Sequence, residues 1–209
     1  RLSEVTAAEV DRSNHIAVWL GPGHVQDFYA GIPNCMVIDS SEDAVKCRLI
    51  DAFSGKLIRF YYGDDMIGNE IGAAAKNVIG IAAGVLDGLG LSTLKGALMS
   101  RGTREVARLI AAMGGNERSA YGLCHLGDYE ATLFSPYSHN RAYGESLITG
   151  APMTKLAEGH PTAAALHRLA AENGVEMPIV AAVYSILYEG AEPKAAVARL
   201  FERRQGQEF

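Results

Sequence analysis

One long apolar segment constrains the fold of this 209-residue chain more than any other feature. Residues 64–88 read as a single helix that is apolar on nearly all sides, which is typical of a helix buried in a protein core. Between Glu70 and Asp87 its single charged residue is Lys76. Because burying an unpaired ammonium is costly, a lysine at this place needs a partner, a ligand or a lowered pKa. The sequence therefore predicts that Lys76 belongs to a functional site.

The neighbours of Lys76 on the same helix face are glycines. Gly72, Lys76, Gly80 and Gly84 follow one another at intervals of four residues, so that they form one stripe along the helix. A stripe without side chains lets another backbone or a small ligand come close to the amine. We therefore interpret this stripe as part of a site and not only as core.

A membrane-spanning helix is the alternative, because Gly80 and Gly84 form a G-x-x-x-G match. The charge-free run at 77–86 is only about half of the ~20 residues that a span needs. Lys76 and Glu70 would also lie inside the hydrocarbon. The sequence favours a buried helix and no membrane span.

Composition narrows the classes of protein to consider. The chain is 48% hydrophobic and 21% charged, which indicates a globular protein, and its net charge of -5 argues against nucleic acid as a partner. Its three cysteines, Cys35, Cys47 and Cys124, form no C-x-x-C pair, which favours reduced thiols in the cytoplasm. The chain starts at Arg1 without methionine or a secretory signal, so we interpret it as part of a longer protein.

Two patterns divide the chain. Residues 1–62 alternate between strands and helices, which predicts a small parallel sheet with an exposed edge, as in part of a larger domain. The predicted strands are 15–20, 35–39 and 57–61, and the helices between them are 24–30 and 41–53. Residues 63–209 are helical in pattern, with further helices at 95–113, 138–149, 161–173, 178–188 and 193–203.

A turn in the first part has the composition of an anion-binding turn. Gly21-Pro22-Gly23 follows a predicted strand and precedes a helix, which is an arrangement that favours anions. It is not a dinucleotide-binding fingerprint, because position 26 is glutamine where the third glycine belongs. A plain tight turn is the alternative.

The segment 122–128 carries an isolated carboxylate. Gly122 and Gly127 frame a largely apolar stretch that ends at Asp128. Asp128 is either a site residue or the N-cap of a following helix. A metal site would draw on Cys124, His125, Asp128 and His139, but their spacing matches no standard zinc pattern, so we predict no metal.

The segment 135–141 opens a predicted helix with Ser138, His139 and Asn140. Hydroxyl, imidazole and amide groups at a helix N-terminus are suited to holding a phosphate. The alternative is an ordinary helix that is capped by Ser138 and has a solvated polar face.

Taken in order, these segments closely resemble the NAD(P)-dependent glycerol-3-phosphate dehydrogenases over nearly the whole chain. The matching blocks are 21–24, 65–84, 101–105, 122–128, 138–141 and 178–190. The resemblance implies that residues 1–62 are an α/β remnant of a Rossmann-type, NAD(P)-binding domain. It also implies that residues 63–209 form an all-α C-terminal domain of the phosphogluconate-dehydrogenase-like kind, which binds substrate and carries catalysis.

The resemblance also implies roles for individual residues. Lys76 is the acid/base in the interconversion of dihydroxyacetone phosphate and sn-glycerol 3-phosphate, and Asn77 and Asp128 are the other catalytic residues. The implied substrate-binding residues are Gly21, Gly23, Lys76, Asp128, Ser138, His139 and Asn140. NAD or NADP is the implied cofactor, with contacts at Val25, His139, Leu156 and Glu158. The resemblance also implies that the protein is a homodimer in the cytoplasm and that its product feeds phospholipid synthesis.

Three departures from the family pattern keep alternatives open. Gly23 stands where serine is usual, His139 stands where arginine is usual, and the loop between Gly150 and Glu158 is shorter than in the family. Histidine cannot reproduce the two parallel hydrogen bonds of a guanidinium. A related hydroxyacid or sugar-phosphate dehydrogenase therefore remains open, as does a divergent module without catalytic activity.

Overall fold

The first part of the chain forms three strands with helices around them. The computed structural model describes residues 1–11 and 13–204; Arg12 and residues 205–209, which the predicted domain ranges include, lie outside the described residues. The strands are β1 (Ala17–Leu20), β2 (Asn34–Ser40) and β3 (Ile58–Tyr62). The helices of this part are α1 (Leu2–Glu9), α2 (Val25–Tyr29) and α3 (Asp43–Phe53). Helix α1 has no counterpart among the predicted elements.

The sheet has the order β1-β2-β3 and is mixed, so the prediction of a parallel sheet is wrong for one strand. Strand β2 runs parallel to β3, but β1 pairs with β2 in the antiparallel direction. The lengths of the connecting helices explain the difference. The eleven-residue α3 returns the chain along the sheet, as a parallel pair requires, whereas the five-residue α2 is too short for such a crossover.

The second part of the chain is helical, as predicted. Its helices are α4 (Met66–Gly88), α5 (Lys95–Ala112), α6 (His139–Thr149), α7 (Gly159–Glu172), α8 (Pro178–Tyr188) and α9 (Pro193–Phe201). Helix α7 begins two residues before the predicted start at 161. Pro178 and Pro193 are the first residues of their helices, where a missing N–H costs least.

Helix α4 is the central element of this part, as its apolar character predicts. It packs against α5, α6, α7 and α8, and Ala75, Val78, Ile79 and Ile81 have no solvent exposure. By length and composition α4 would be able to cross a membrane. In its most apolar stretch of 18 residues, 67% is buried inside the protein, and such burial is typical of the core helix of a globular domain.

The C-terminal end of the glycine stripe of α4, at Gly80 and Gly84, faces α6, which confirms the prediction that another backbone comes close there. A Cβ atom built on Gly84 would overlap the carbonyl oxygen of Arg141 and lie 2.7 Å from the amide nitrogen of Glu145. From the opposite side, a Cβ on Gly144 would overlap the carbonyl oxygen of Ile81. Glycine on both helices therefore allows the contact, and the contact fixes the start of α6 beside Lys76.

A buried carboxylate joins the sheet to α4. Asp39, at the end of β2, accepts hydrogen bonds from the backbone N–H of Asp65 at 3.0 Å and from the amide of Asn69 at 2.8 Å. Asp65 in turn caps α4 by accepting from the N–H of Gly68. The position of α4 relative to the sheet is thus fixed by hydrogen bonds at its first turns.

Candidate active site

Lys76 and Asp128 form a buried ion pair. The Lys76 ammonium donates a hydrogen bond to Oδ2 of Asp128, which lies 52 positions further along the chain. The side chain of Asp128 is 3% exposed and that of Lys76 is 21% exposed, so the pair is reached by solvent from the lysine side. Asp128 ends a short 3-10 turn at Leu126–Asp128 and does not cap a helix, so the alternative interpretation as an N-cap is wrong.

The surroundings of Asp128 change its acidity. Burial raises the pKa of the Asp128 carboxyl, and the charges of Lys76 and His24, with a hydrogen bond from Thr132, offset part of that rise. Asp128 therefore binds a proton more readily than an exposed aspartate does. An amine and a carboxyl in direct contact are able to hold and pass a proton between them.

A chain of amide hydrogen bonds lies next to Lys76. Asn140, in the first turn of α6, donates from Nδ2 to Oδ1 of Asn77 at 3.1 Å. Asn77 donates to Glu158 at 3.4 Å, and Asn140 accepts from the N–H of Gly159 at 2.8 Å. The fold thus brings together three predicted site residues, Asn77, Asn140 and Glu158, from three segments of the chain.

Ser138 caps α6, as one interpretation predicts. Its hydroxyl oxygen accepts from the N–H of Arg141 at 3.2 Å, and its proton is donated to the carbonyl oxygen of Thr132 at 2.6 Å. Because this hydroxyl is fully used, an anion at the start of α6 would bind to the free backbone N–H groups of the first turn. His139 is the first residue of α6 and is exposed.

The turn at Gly21–Gly23 needs glycine at both ends. Gly21 has a φ of +135° and Gly23 a φ of +136°, which side-chain-bearing residues rarely adopt. A Cβ on Gly23 would also lie 2.8 Å from the ring of Phe28. A side chain at position 23 would therefore require the Phe28 ring to move.

The residues predicted to contact a cofactor lie at the surface. Val25, the first residue of α2, is 65% exposed, and Leu156, in the loop before α7, is 75% exposed. Across residues 1–11 and 13–204, no three His, Cys, Asp or Glu side chains are arranged to hold a metal ion.

His125 is a buried neighbour of this site that the sequence did not single out as functional. Its ring has no solvent exposure; Nδ1–H donates to the carbonyl oxygen of Gly72 at 2.8 Å, and Nε2 accepts from the Tyr129 hydroxyl at 2.7 Å. Burial, with a contribution from the charge of Lys76, lowers the pKa of His125 to about 4. The ring is therefore neutral and supports the turn of α4 that precedes Lys76.

This arrangement predicts that acid destabilises the fold through His125. Since the unfolded ring has a pKa of about 6.5, its contribution is complete above that pH and is lost as the pH falls toward 4. The difference between the pKa of His125 in the unfolded state, about 6.5, and in the folded state, about 4, corresponds to about 3 kcal/mol of unfolding free energy. We expect urea unfolding between pH 7.5 and 4 to show wild type losing about that much more stability than His125→Gln.

Parallel pH profiles for wild type and His125→Gln would contradict the assignment of His125.

Comparison with known proteins places these features in a family. The family model described as the NAD-dependent glycerol-3-phosphate dehydrogenase C-terminus matches residues 65–198. A glycerol-3-phosphate dehydrogenase [NAD(P)+] of Janthinobacterium sp. is 38% identical, over 90% of this chain and 60% of that protein. One from Clostridium perfringens is also 38% identical, over 100% of this chain and 65% of its own. The chain thus spans about 60–65% of the length of these relatives.

Solved structures agree with the sequence matches. The crystal structure of glycerol-3-phosphate dehydrogenase from Coxiella burnetii has a TM-score of 0.90 and 34% identity, covering 97% of this chain and 64% of that one. The Plasmodium falciparum enzyme has a TM-score of 0.86 at 17% identity, covers 99% and 61% of the two chains, and supports the fold alone. These structures confirm the predicted α/β remnant followed by an all-α domain.

Proposed function

We propose that this chain, which belongs to the NAD-dependent glycerol-3-phosphate dehydrogenase family, carries the proton-transfer and substrate-binding part of an enzyme that interconverts dihydroxyacetone phosphate and sn-glycerol 3-phosphate. The observation that carries the proposal is the buried pair of Lys76 and Asp128, with Asn77 and Asn140 beside it. A lysine in a helical core, paired but still reached by solvent, is suited to proton transfer.

The chemistry requires a proton as well as a hydride. In the reducing direction, Lys76 gives a proton to the carbonyl oxygen of the substrate, and in the oxidising direction it takes the proton back. Asp128 orients the ammonium and shares its proton. Asn77 and Asn140 hold the start of α6 against α4, where the backbone N–H groups receive the phosphate of the substrate.

NAD or NADP is the cofactor in this proposal, and when bound in its reduced form it supplies the hydride. Val25, His139, Leu156 and Glu158 would hold it on this chain. The exposed apolar side chains of Val25 and Leu156 fit a ring-shaped ligand. On the same basis we propose a cytoplasmic homodimer that acts on a small phosphorylated substrate and does not bind nucleic acid or span a membrane.

A related hydroxyacid or sugar-phosphate dehydrogenase is the second candidate, and His139 is the observation that favours it. This exposed residue stands at the first position of α6, where the family resemblance predicts arginine. A histidine offers an anion fewer and less rigid hydrogen bonds than a guanidinium does. His139 therefore has one of two consequences. Either the protein binds the phosphate of the same substrate more weakly, or its substrate carries a different anionic group.

A substrate comparison distinguishes the two candidates. We expect the full-length protein to oxidise NADH or NADPH with dihydroxyacetone phosphate at a kcat/KM at least about 100-fold above that for dihydroxyacetone, because the phosphate contacts add binding energy in the transition state. Absorbance at 340 nm measures the rate, and pyruvate and 6-phosphogluconate (in the oxidising direction) serve as comparison substrates. A higher kcat/KM for either comparison substrate would contradict the proposed function.

A further inference from the structure

One buried polar atom beside the candidate site has no partner. The polar side chains of Asp128, Asn77, Asn140 and Ser138 all have hydrogen bonds within the protein. Nε2 of His24 is buried from solvent and, among the described residues, is the single buried side-chain nitrogen or oxygen without a hydrogen-bond partner. Because an unpaired buried donor or acceptor is destabilising, such an atom calls for an explanation.

The contacts of His24 place it where several site segments meet. It directly follows Gly23 in the glycine turn, and its ring lies edge-on to Tyr137, with the ring centroids 5.6 Å apart. Tyr137 is next to Ser138, the cap of α6. A charge on His24 also lowers the pKa of Asp128, against the larger effect of burial, which raises it. His24 thus contacts the segment that leads into α6 and acts electrostatically on the carboxylate that pairs with Lys76.

We propose that Nε2 of His24 forms a hydrogen bond with the terminal hydroxyl of the substrate, at the end of the three-carbon chain opposite the phosphate. This inference rests on the proposed function. With the phosphate at the start of α6 and the C2 oxygen at Lys76, the terminal hydroxyl is the one polar group of the substrate that still needs a partner. Asp128 and Asn77 each have a hydrogen-bond partner within the protein, whereas Nε2 of His24 has none.

This role predicts specificity for substrates that carry the hydroxyl. A site with a buried hydrogen-bonding group rejects an analogue that leaves this group unpaired. Propane-1,2-diol 1-phosphate is such an analogue, since it differs from sn-glycerol 3-phosphate by the loss of this hydroxyl alone.

The test compares kcat/KM for the two compounds in wild type and in His24→Phe, which keeps a ring against Tyr137. We expect the variant to lose about 10- to 100-fold in kcat/KM for sn-glycerol 3-phosphate, while its kcat/KM for the analogue changes by less than about threefold. His24→Gln keeps a hydrogen-bonding group and should restore part of the preference. His15→Phe, at an exposed histidine paired with Glu42, should leave both values unchanged.

Unfolding temperatures without ligand give a second measurement. Because His24→Phe removes an unpaired buried nitrogen, its midpoint should be equal to or above that of wild type. A lower midpoint, with equal losses for both compounds, would show a structural role and overturn the inference, as would an unchanged preference in both variants. If His24→Phe does not fold, His24→Gln decides the test. An unchanged ratio of kcat/KM for sn-glycerol 3-phosphate to that for the analogue overturns the inference, and a reduced ratio supports it. A wild type that turns over neither compound would overturn the proposed function and this inference with it.

Discussion

Replacing Gly84 with alanine is expected to destabilise the protein by about 3 kcal/mol or more. The new Cβ would overlap the carbonyl oxygen of Arg141 and lie 2.7 Å from the amide nitrogen of Glu145. Both atoms belong to the backbone of α6, so no side-chain rotation relieves the overlap. Helix α6 would have to move away from α4, and Asn140 would move with it away from Asn77. We therefore expect activity to fall together with stability.

Gly96 provides a matched control for this substitution. It is an exposed glycine inside α5, and a Cβ built on it would meet no atom within 4 Å. Because Gly96 is the second residue of α5, Gly96→Ala should raise the free energy of unfolding by at most about 0.5–1 kcal/mol, the preference for alanine over glycine inside a helix. Urea denaturation of the two variants and wild type measures both effects. Equal stability of Gly84→Ala and wild type would contradict the close packing of α4 and α6.

The sequence was sufficient to predict α4 because the signals for this helix are local. Its apolar residues surround the whole helix, and Asp65 supplies the cap. The glycine stripe predicted a close approach but not its partner, since that depends on the distant α6. The direction of β1 was predicted wrongly because an apolar strand has the same pattern in parallel and antiparallel pairs. Only the length of α2 distinguishes them.

The features that the sequence did not reveal are long-range. Helix α1 is short, and the contact that fixes it joins Ser3 to the buried carboxylate of Glu70, 67 positions away. The sequence indicated Lys76 and Asp128 separately, but no spacing rule relates two residues on different segments. The unpaired Nε2 of His24 likewise follows only from the packing around the glycine turn.

Lys76→Met is expected to lower kcat of the protein at least about 100-fold, the usual effect of losing a positioned proton donor. Methionine keeps the length and the apolar stem of lysine and removes the amine. The fold should persist, because burial already raises the pKa of Asp128, so that the carboxyl takes up a proton more readily once the ammonium is gone. We expect the free energy of unfolding to stay within about 2 kcal/mol of wild type, less than the loss of one partner in a fully buried ion pair causes.

Lys95→Met serves as the control, because it should lower stability without lowering kcat. Lys95 is also a buried lysine, with its ammonium 2.6 Å from Asp87 and 2.9 Å from the carbonyl oxygen of Leu133, but it lies outside the candidate site. Its replacement should cost about 1–3 kcal/mol of stability, because the carbonyl of Leu133 loses its donor while Asp87 keeps the Arg141 guanidinium at 2.9 Å, and it should leave kcat near that of wild type. Thermal unfolding and steady-state rates measured on the same samples separate the two lysines. A stable Lys76→Met variant with near-normal kcat would exclude Lys76 as the acid/base.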